Sequence, residues 1–430
     1  MPVQDYPLEK IRERFPALAL DGDIGGRIYL DNPAGTQVPA TVVDRMSRCL
    51  LEANANLGGP FESSRLADEI AADAHQAMAD FLHAPSADEI VFGQNMTTLT
   101  FHLARSIGAA FSPGDEVIVT QMDHDANIWP WVLMARDHGL EVKWLPFDTQ
   151  TFEFDPAELD RLLGERTRLV CVAGASNLLG TVNDVAAIAG KAREAGAWTF
   201  VDAVQSVPHM PTDVQALGCD FLACSAYKFF GPHQGILWGR SEILESLEPY
   251  KVRPAPDTIP GRFETGTQSH EGMAGTAAAV DYFASLGEAW AGDYAGRFPG
   301  MSGRALHAHT ALAWLLDYEE TLSRHLIDGL RALPGITVHG ITDPDSYSRR
   351  LPTVAFSVEG VAPAMIAREL GQRRIFVWNG HNYALEVVRA LGLMEAGGVI
   401  RVGPVHYNSI EEIDVLLNTL ESILPRIAPS

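Results

Sequence analysis

The stretch from Thr199 to Gly239 reads TFVDAVQSVPHMPTDVQALGCDFLACSAYKFFGPHQGILWG. Trp198–Val201 is an apolar run that ends in Asp202, and Phe221–Cys224 and Gly235–Trp238 are two more. Short apolar runs bounded by Gly, Pro and Asp read as buried strands. Upstream, Glu116–Thr120, Glu141–Leu145 and Arg168–Ala173 have the same character. Between them Ala126–Asp137, Pro156–Leu163 (after a capping Asp155) and Val185–Ala195 read as helices. This alternation predicts an α/β fold, a parallel sheet with helices on both faces. In such sheets ligands bind at the carboxyl ends of the strands.

After about residue 285 the texture changes. Met301–Ala332 and Ala362–Leu370 read as helices, and Thr337–His339, Val354–Val358 and Val399–Val402 as short strands. Ser409–Leu424 is an amphipathic helix whose Ser409 and Glu412 have capping-box spacing. The expected organisation is an arm over residues 1–25 belonging to the small domain, a large domain over 26–290 and an α+β domain over 291–430. The linker is expected near Gly287–Gly300.

The chain has 430 residues and a net charge of −23. That length suits two or three domains of about 150 residues. So acidic a surface disfavours nucleic acid and anionic lipid as partners. No apolar run reaches the roughly 20 residues of a membrane span. Met1–Arg14 lacks the order of a signal peptide, and four scattered cysteines make no disulfide framework, so a cytoplasmic protein is expected. His209, His233, His270, His381 and His406 show no metal-ligand spacing, and no metal is expected. Cys171, Cys219 and Cys224 read as core residues, and Trp129 and Trp131 as packing or pocket-mouth residues.

Lys228 sits between a strand and a Gly-rich turn, 26 residues after Asp202, with Ser225 three before it. A chance strand-end pair explains this. So does pyridoxal phosphate, whose Schiff base needs a lysine and whose pyridine nitrogen needs a carboxylate. Three other segments bear on the choice. Phe92–Thr98 precedes a helical run from Leu99 and offers a helix N-terminus to a phosphate, or is a plain Thr cap. Gln121–Asn127 places His124 at a strand end, to lie over a ring or in solvent. Ser176–Thr181 carries Asn177, a hydrogen-bond donor or a turn residue.

In this order these motifs resemble the class V aminotransferase superfamily of fold-type I pyridoxal phosphate enzymes, in its cysteine desulfurase and selenocysteine lyase branch. The resemblance runs from Tyr29-Leu30-Asp31-Asn32-Pro33-Ala34 to Arg401 and the final helix. It implies a mostly parallel seven-stranded sheet sandwiched by helices. It also implies Lys228 as the Schiff-base lysine, Asp202 on the pyridinium, His124 stacked on the ring, and Asn177 and Gln205 on the phenolic-oxygen side. Met96, Thr97 and Ser225 would hold the phosphate. Thr267 would reach the phosphate of the other subunit, which implies a homodimer with shared sites. Arg401 would bind the substrate carboxylate, with Asn32, Tyr383 and His381 also facing the substrate.

Desulfurases of this branch carry a loop cysteine that becomes a persulfide. Here Tyr383 occupies that place, and no cysteine follows Cys224. Trp378 stands where a second arginine is often found, and Tyr227 replaces a histidine before the lysine. The expected activity is a C–S or C–Se lyase acting on an amino acid through an α-carbanion without a protein persulfide, with Tyr383 or His381 protonating the leaving group. The alternative is a class V aminotransferase or epimerase, including one in secondary metabolism. A non-catalytic regulator would need a DNA-binding module, and no basic helix-turn-helix segment is present.

Overall fold

The computed structural model describes residues 6–20 and 26–427. The remainder of the expected arm, residues 1–5 and 21–25, lies outside the described residues. In chain order the strands are β1 (Ile28–Tyr29), β2 (Ile90–Gly93), β3 (Glu116–Thr120), β4 (Glu141–Leu145), β5 (Thr167–Ala173), β6 (Trp198–Asp202), β7 (Phe221–Ser225) and β8 (Gly235–Gly239). Then follow β9 (Ile336–His339), β10 (Val354–Val358), β11 (Ile375–Phe376), β12 (Trp378–Gly380) and β13 (Val399–Val402). The large sheet has seven strands in the order β2-β8-β7-β6-β5-β3-β4, and β8 alone runs against the rest.

The pleat explains why these strands are apolar on both faces. Val170 and Val172 of β5 join one apolar cluster, while Leu169 and Cys171 join another on the opposite face. Val201 and Phe200 of β6 divide in the same way. The helices Glu62–Leu82 and His270–Trp290 cover the first face, and Met96–Ala110 and Trp129–His138 the second. The edge strand of this sheet, β2, escaped the sequence reading, which took Phe92–Thr98 as the polar lead-in to a helix.

The small sheet is antiparallel, ordered β12-β13-β10-β9. The Pro363–Gln372 and Ile410–Ile427 helices pack on it. The expected capping box is present: the Glu412 N–H donates to Ser409 Oγ at 3.2 Å, and the Ser409 N–H to Glu412 Oε2 at 3.3 Å.

Two expectations on domain organisation change. The Gly303–Ala332 helix does not belong to one domain. Ala308, Leu312 and Leu315 pack in the large core, and Leu322, Leu326 and Leu330 in the small one. The boundary between cores therefore falls inside this helix rather than at 290/291, because its apolar stripe continues past the glycine-rich turn. The N-terminal arm is likewise not part of the small domain alone. Phe15, 1% exposed, packs edge-on against Phe230, Tyr282 and Tyr407 in the large core. Burial of that ring contributes about 1.5–3 kcal/mol. Among the described residues no helix is long and apolar enough to cross a membrane.

Candidate active site

Strand ends of the large sheet and one edge of the small sheet enclose a cavity of about 840 Å³, within the usual range for small-molecule sites. Its walls include Met96, Thr97, His124, Asn177, Asp202 and Gln205. Ser225, Lys228, Tyr383 and Arg401, also expected from sequence, line it as well. Ten residues spread over 306 positions of chain thus converge on one space.

Lys228 lies in a short 3-10 turn directly after β7. Its Nζ donates to the carbonyls of Pro33 at 2.6 Å and Ala34 at 2.9 Å. Phe230, two residues on, is buried with a φ of +68°. A bulky residue there is a backbone outlier of the kind that clusters at functional sites. Burial pushes the Lys228 ammonium down to about 7, helped by the Arg401 charge and opposed by Asp202 and Asp31. A neutral amine is therefore accessible near neutral pH, the state a nucleophile or base requires.

Asp202 ends β6, and its Oδ1 accepts the Val204 N–H at 2.9 Å. Burial raises its carboxyl to about 6, while that hydrogen bond and Lys228 pull it back. Gln205 Nε2 donates to the Pro33 carbonyl. His124 is half-buried, its Nδ1 accepting the Ala126 N–H at 3.0 Å, and burial lowers its pKa to about 3, so the ring is neutral. Its face stacks on Tyr383, with centroids 5.2 Å apart and planes 20° apart.

The Met96–Ala110 helix starts three residues earlier than expected. Its cap is Asn95, whose side chain accepts the Thr98 N–H at 2.9 Å. The Met96 N–H donates to Ser225 Oγ at 3.0 Å. Thr97, in the same first turn, lines the cavity at the positive end of the helix dipole.

Arg401 sits on β13, 4% exposed. Its Nη1 donates to the Asn177 carbonyl at 3.0 Å, while its Nε is buried without a partner. Asn177 Nδ2 donates to the Asn382 carbonyl, and the Oδ1 atoms of both asparagines are also buried without partners. Such orphaned polar atoms around one cavity are costly unless a ligand satisfies them.

Two residues expected to face the substrate, Asn32 and His381, lie elsewhere. Asn32 is 2% exposed but turned from the cavity: its amide donates to the carbonyls of Tyr29 and Gly403 and accepts the Tyr407 hydroxyl. It ties the first strand to the small domain, a role its flanking motif did not reveal. His381 is exposed, its Nδ1 accepting the Tyr383 N–H, and it does not line the cavity. Thr267 is exposed and outside this cavity. Trp131 is buried, donating to Asn127 Oδ1, whereas Trp129 is half exposed and lies outside the cavity wall.

Asp123 went unassigned. It is fully buried and accepts from Thr120 Oγ1 at 2.5 Å, Asn127 Nδ2 at 2.6 Å and the Ala173 N–H at 3.0 Å. Burial, with the Asp202 charge, raises its pKa to about 7. Ala173 is also the register partner of Asp202 across β5 and β6, so the two carboxyls share a strand-end framework. An acid just after a buried strand, in Met122-Asp123-His124, was its only signal.

The sequence pattern of the family Aminotransferase class-V matches residues 28–298 and 303–416. An aminotransferase-like protein, FGM3, of Gibberella zeae is 34% identical, over 99% of this chain and 100% of its own length. A cysteine desulfurase of Dickeya dadantii is 33% identical, covering 98% of each chain. Among solved structures, apo cysteine desulfurase from Thermococcus onnurineus NA1 superposes with a TM-score of 0.85 at 28% identity, over 99% of this chain and 100% of that one. The cysteine desulfurase CsdA of Escherichia coli gives 0.82 at 25%, over 98% and 99%. Members of this family use pyridoxal phosphate. The chain belongs to the class-V aminotransferase family and is a pyridoxal-phosphate-dependent enzyme of amino-acid chemistry.

Proposed function

We propose that this protein is a C–S or C–Se lyase that cleaves an amino acid without forming a protein persulfide. The observation that carries the proposal is Tyr383 at the mouth of the cavity. It is 65% exposed, stacked beside His124, and stands where desulfurases of the branch carry their loop cysteine. All four cysteines of the chain are buried, so no thiol is available to receive sulfur.

The residues present fit pyridoxal 5'-phosphate. The Lys228 amine and the Asp202 carboxylate line one cavity, and the partnerless polar atoms of Asn177 and Arg401 supply unmet donors and acceptors there. Met96, Thr97 and Ser225 would hold the phosphate, Asp202 the pyridine nitrogen and His124 a ring face, with Asn177 and Gln205 on the phenolic-oxygen side. Bound there, the cofactor supplies an electron sink for charge developing at the substrate Cα.

Arg401 would hold the substrate carboxylate through its partnerless Nε and the adjoining edge of its planar guanidinium, a donor geometry suited to carboxylate. Lys228 would take the Cα proton, a task matched to its depressed pKa. Asp202, anchored by the Val204 N–H, would hold its carboxylate in register. Tyr383 would deliver a proton to the departing sulfur; His381, outside the cavity, is less well placed. For a cysteine thioether the balanced outcome is substrate plus water giving thiol, pyruvate and ammonium. Thr267, exposed and away from its own cavity, would serve the partner's site in a homodimer. Four buried free cysteines suit the reducing cytoplasm.

The test is to add candidate amino acids to the purified holoenzyme and to a Lys228→Ala variant. Pyruvate and thiol release by the parent alone supports the lyase. A keto acid of unchanged carbon skeleton without thiol refutes it in favour of aminotransfer. A racemised amino acid refutes it in favour of epimerisation.

A further inference from the structure

Two of the cavity's walls are unlike each other. The deep wall has two basic side chains. Lys228 is held by two backbone carbonyls, and Arg401 has one vacant edge. The outer wall is aromatic. Tyr383 and Trp378 stand at the mouth, 65% and 52% exposed. Between the two walls, Tyr227 carries Lys228 Nζ 4.6 Å from its ring centroid and stacks on the exposed His233, with centroids 5.0 Å and planes 16° apart, and both line the same space.

The register fixes where these walls meet. Trp378 of β12 pairs directly with Arg401 of β13. Directly opposed residues of antiparallel strands point to one face, with Cβ atoms about 4.5–5.5 Å apart. A carboxylate held by Arg401 therefore has an indole, not a second cation, as its neighbour. Once that carboxylate is bound, no further lysine or arginine among the described residues lines the cavity to meet another acidic group. Burying an unpaired anion is strongly unfavourable. Aromatic faces, by contrast, favour flat apolar groups or cations.

We propose that the site selects an amino acid with a single carboxylate and an extended, non-anionic side chain that lies on Trp378 and the Tyr227–His233 pair. This rests on the lyase reading only for the choice of probes, and the readouts separate the two.

The experiment measures dissociation constants from the change in the holoenzyme's visible absorbance. The probes are L-cysteine, S-carboxymethyl-L-cysteine, S-benzyl-L-cysteine and S-(2-aminoethyl)-L-cysteine. The expected result is that at least one of the last two binds tenfold or more tightly than both of the first two. If neither does, the proposal is overturned. In Trp378→Arg, an exposed position tolerant of change, the advantage over S-carboxymethylcysteine should shrink at least tenfold, and an unchanged ratio overturns the assignment to Trp378. Pyruvate is assayed in parallel. The expected binding order without pyruvate refutes the lyase reading and leaves this proposal standing.

Discussion

Gly235→Ala is the most informative single change. Gly235 opens β8 and is paired on one side with Ser225 and on the other with Gly93. A Cβ there would lie 2.4 Å from the Asn95 carbonyl carbon, 2.6 Å from its Cα and 2.8 Å from its nitrogen. Those are backbone atoms of the helix cap, so no side chain can swing aside. Reaching an ordinary 3.4 Å contact requires the helix start and β8 to separate by about 1 Å. Overpacking of this kind costs about 1–3 kcal/mol of stability. The same displacement draws the Met96 and Thr97 N–H groups from the proposed phosphate position. One charge-assisted hydrogen bond lost, about 1.5–3 kcal/mol, weakens cofactor binding by roughly 10- to 100-fold. The assay is a titration of cofactor-free protein with pyridoxal phosphate, beside thermal melts. Gly190→Ala is the control, since a Cβ there meets nothing within 4 Å in its helix. It should leave affinity unchanged and stabilise by about 0.5–1 kcal/mol. A Gly235→Ala protein with parental affinity would show that the helix start does not carry the phosphate.

Arg401→Gln should raise the KM for amino-acid substrates by about 30- to 5,000-fold, the equivalent of 2–5 kcal/mol for a buried charged hydrogen-bond partner, while cofactor absorbance is retained. A shift in kcat with KM unchanged would place the substrate carboxylate elsewhere. Asp123→Asn should alter pH dependence. A carboxyl raised to about 7 in the folded protein loses stability as pH climbs from the unfolded value near 4 to 7. The cofactor-free variant should therefore gain melting temperature relative to its parent more at pH 8 than at pH 4.5, and a pH-independent difference would contradict this. Ser409→Ala removes the Glu412 N–H acceptor and should lower stability by about 1 kcal/mol, read from denaturant midpoints with activity intact.

Much of this architecture was legible because burial on both faces forces strands to be uniformly apolar. Glu116–Thr120 and Glu141–Leu145 agree with the structure residue for residue. Strand ends then told where Asp202, His124 and Lys228 would gather. What escaped was information carried by tertiary partners. Asn32 looks like a pocket residue until its bonds to Gly403 and Tyr407 appear. Asp123 has no local pattern beyond an acid after a strand, because its three donors come from two strands and a turn. The domain boundary was misplaced because glycines signal a flexible backbone, yet packing and not glycine content decides which core a helix joins.

That helix has an engineering consequence. Thirty residues at about 1.5 Å each make a rod of about 45 Å clamped at both ends in different cores. Exchanging the C-terminal portion for that of a relative at residue 290 would transplant a rod whose first half was shaped for another partner. A chimaera joined between Leu315 and Tyr318, in the middle of the rod, would keep each half with the side chains it grew up against. Modularity in this molecule runs through the interior of a helix, not along the loop beside it.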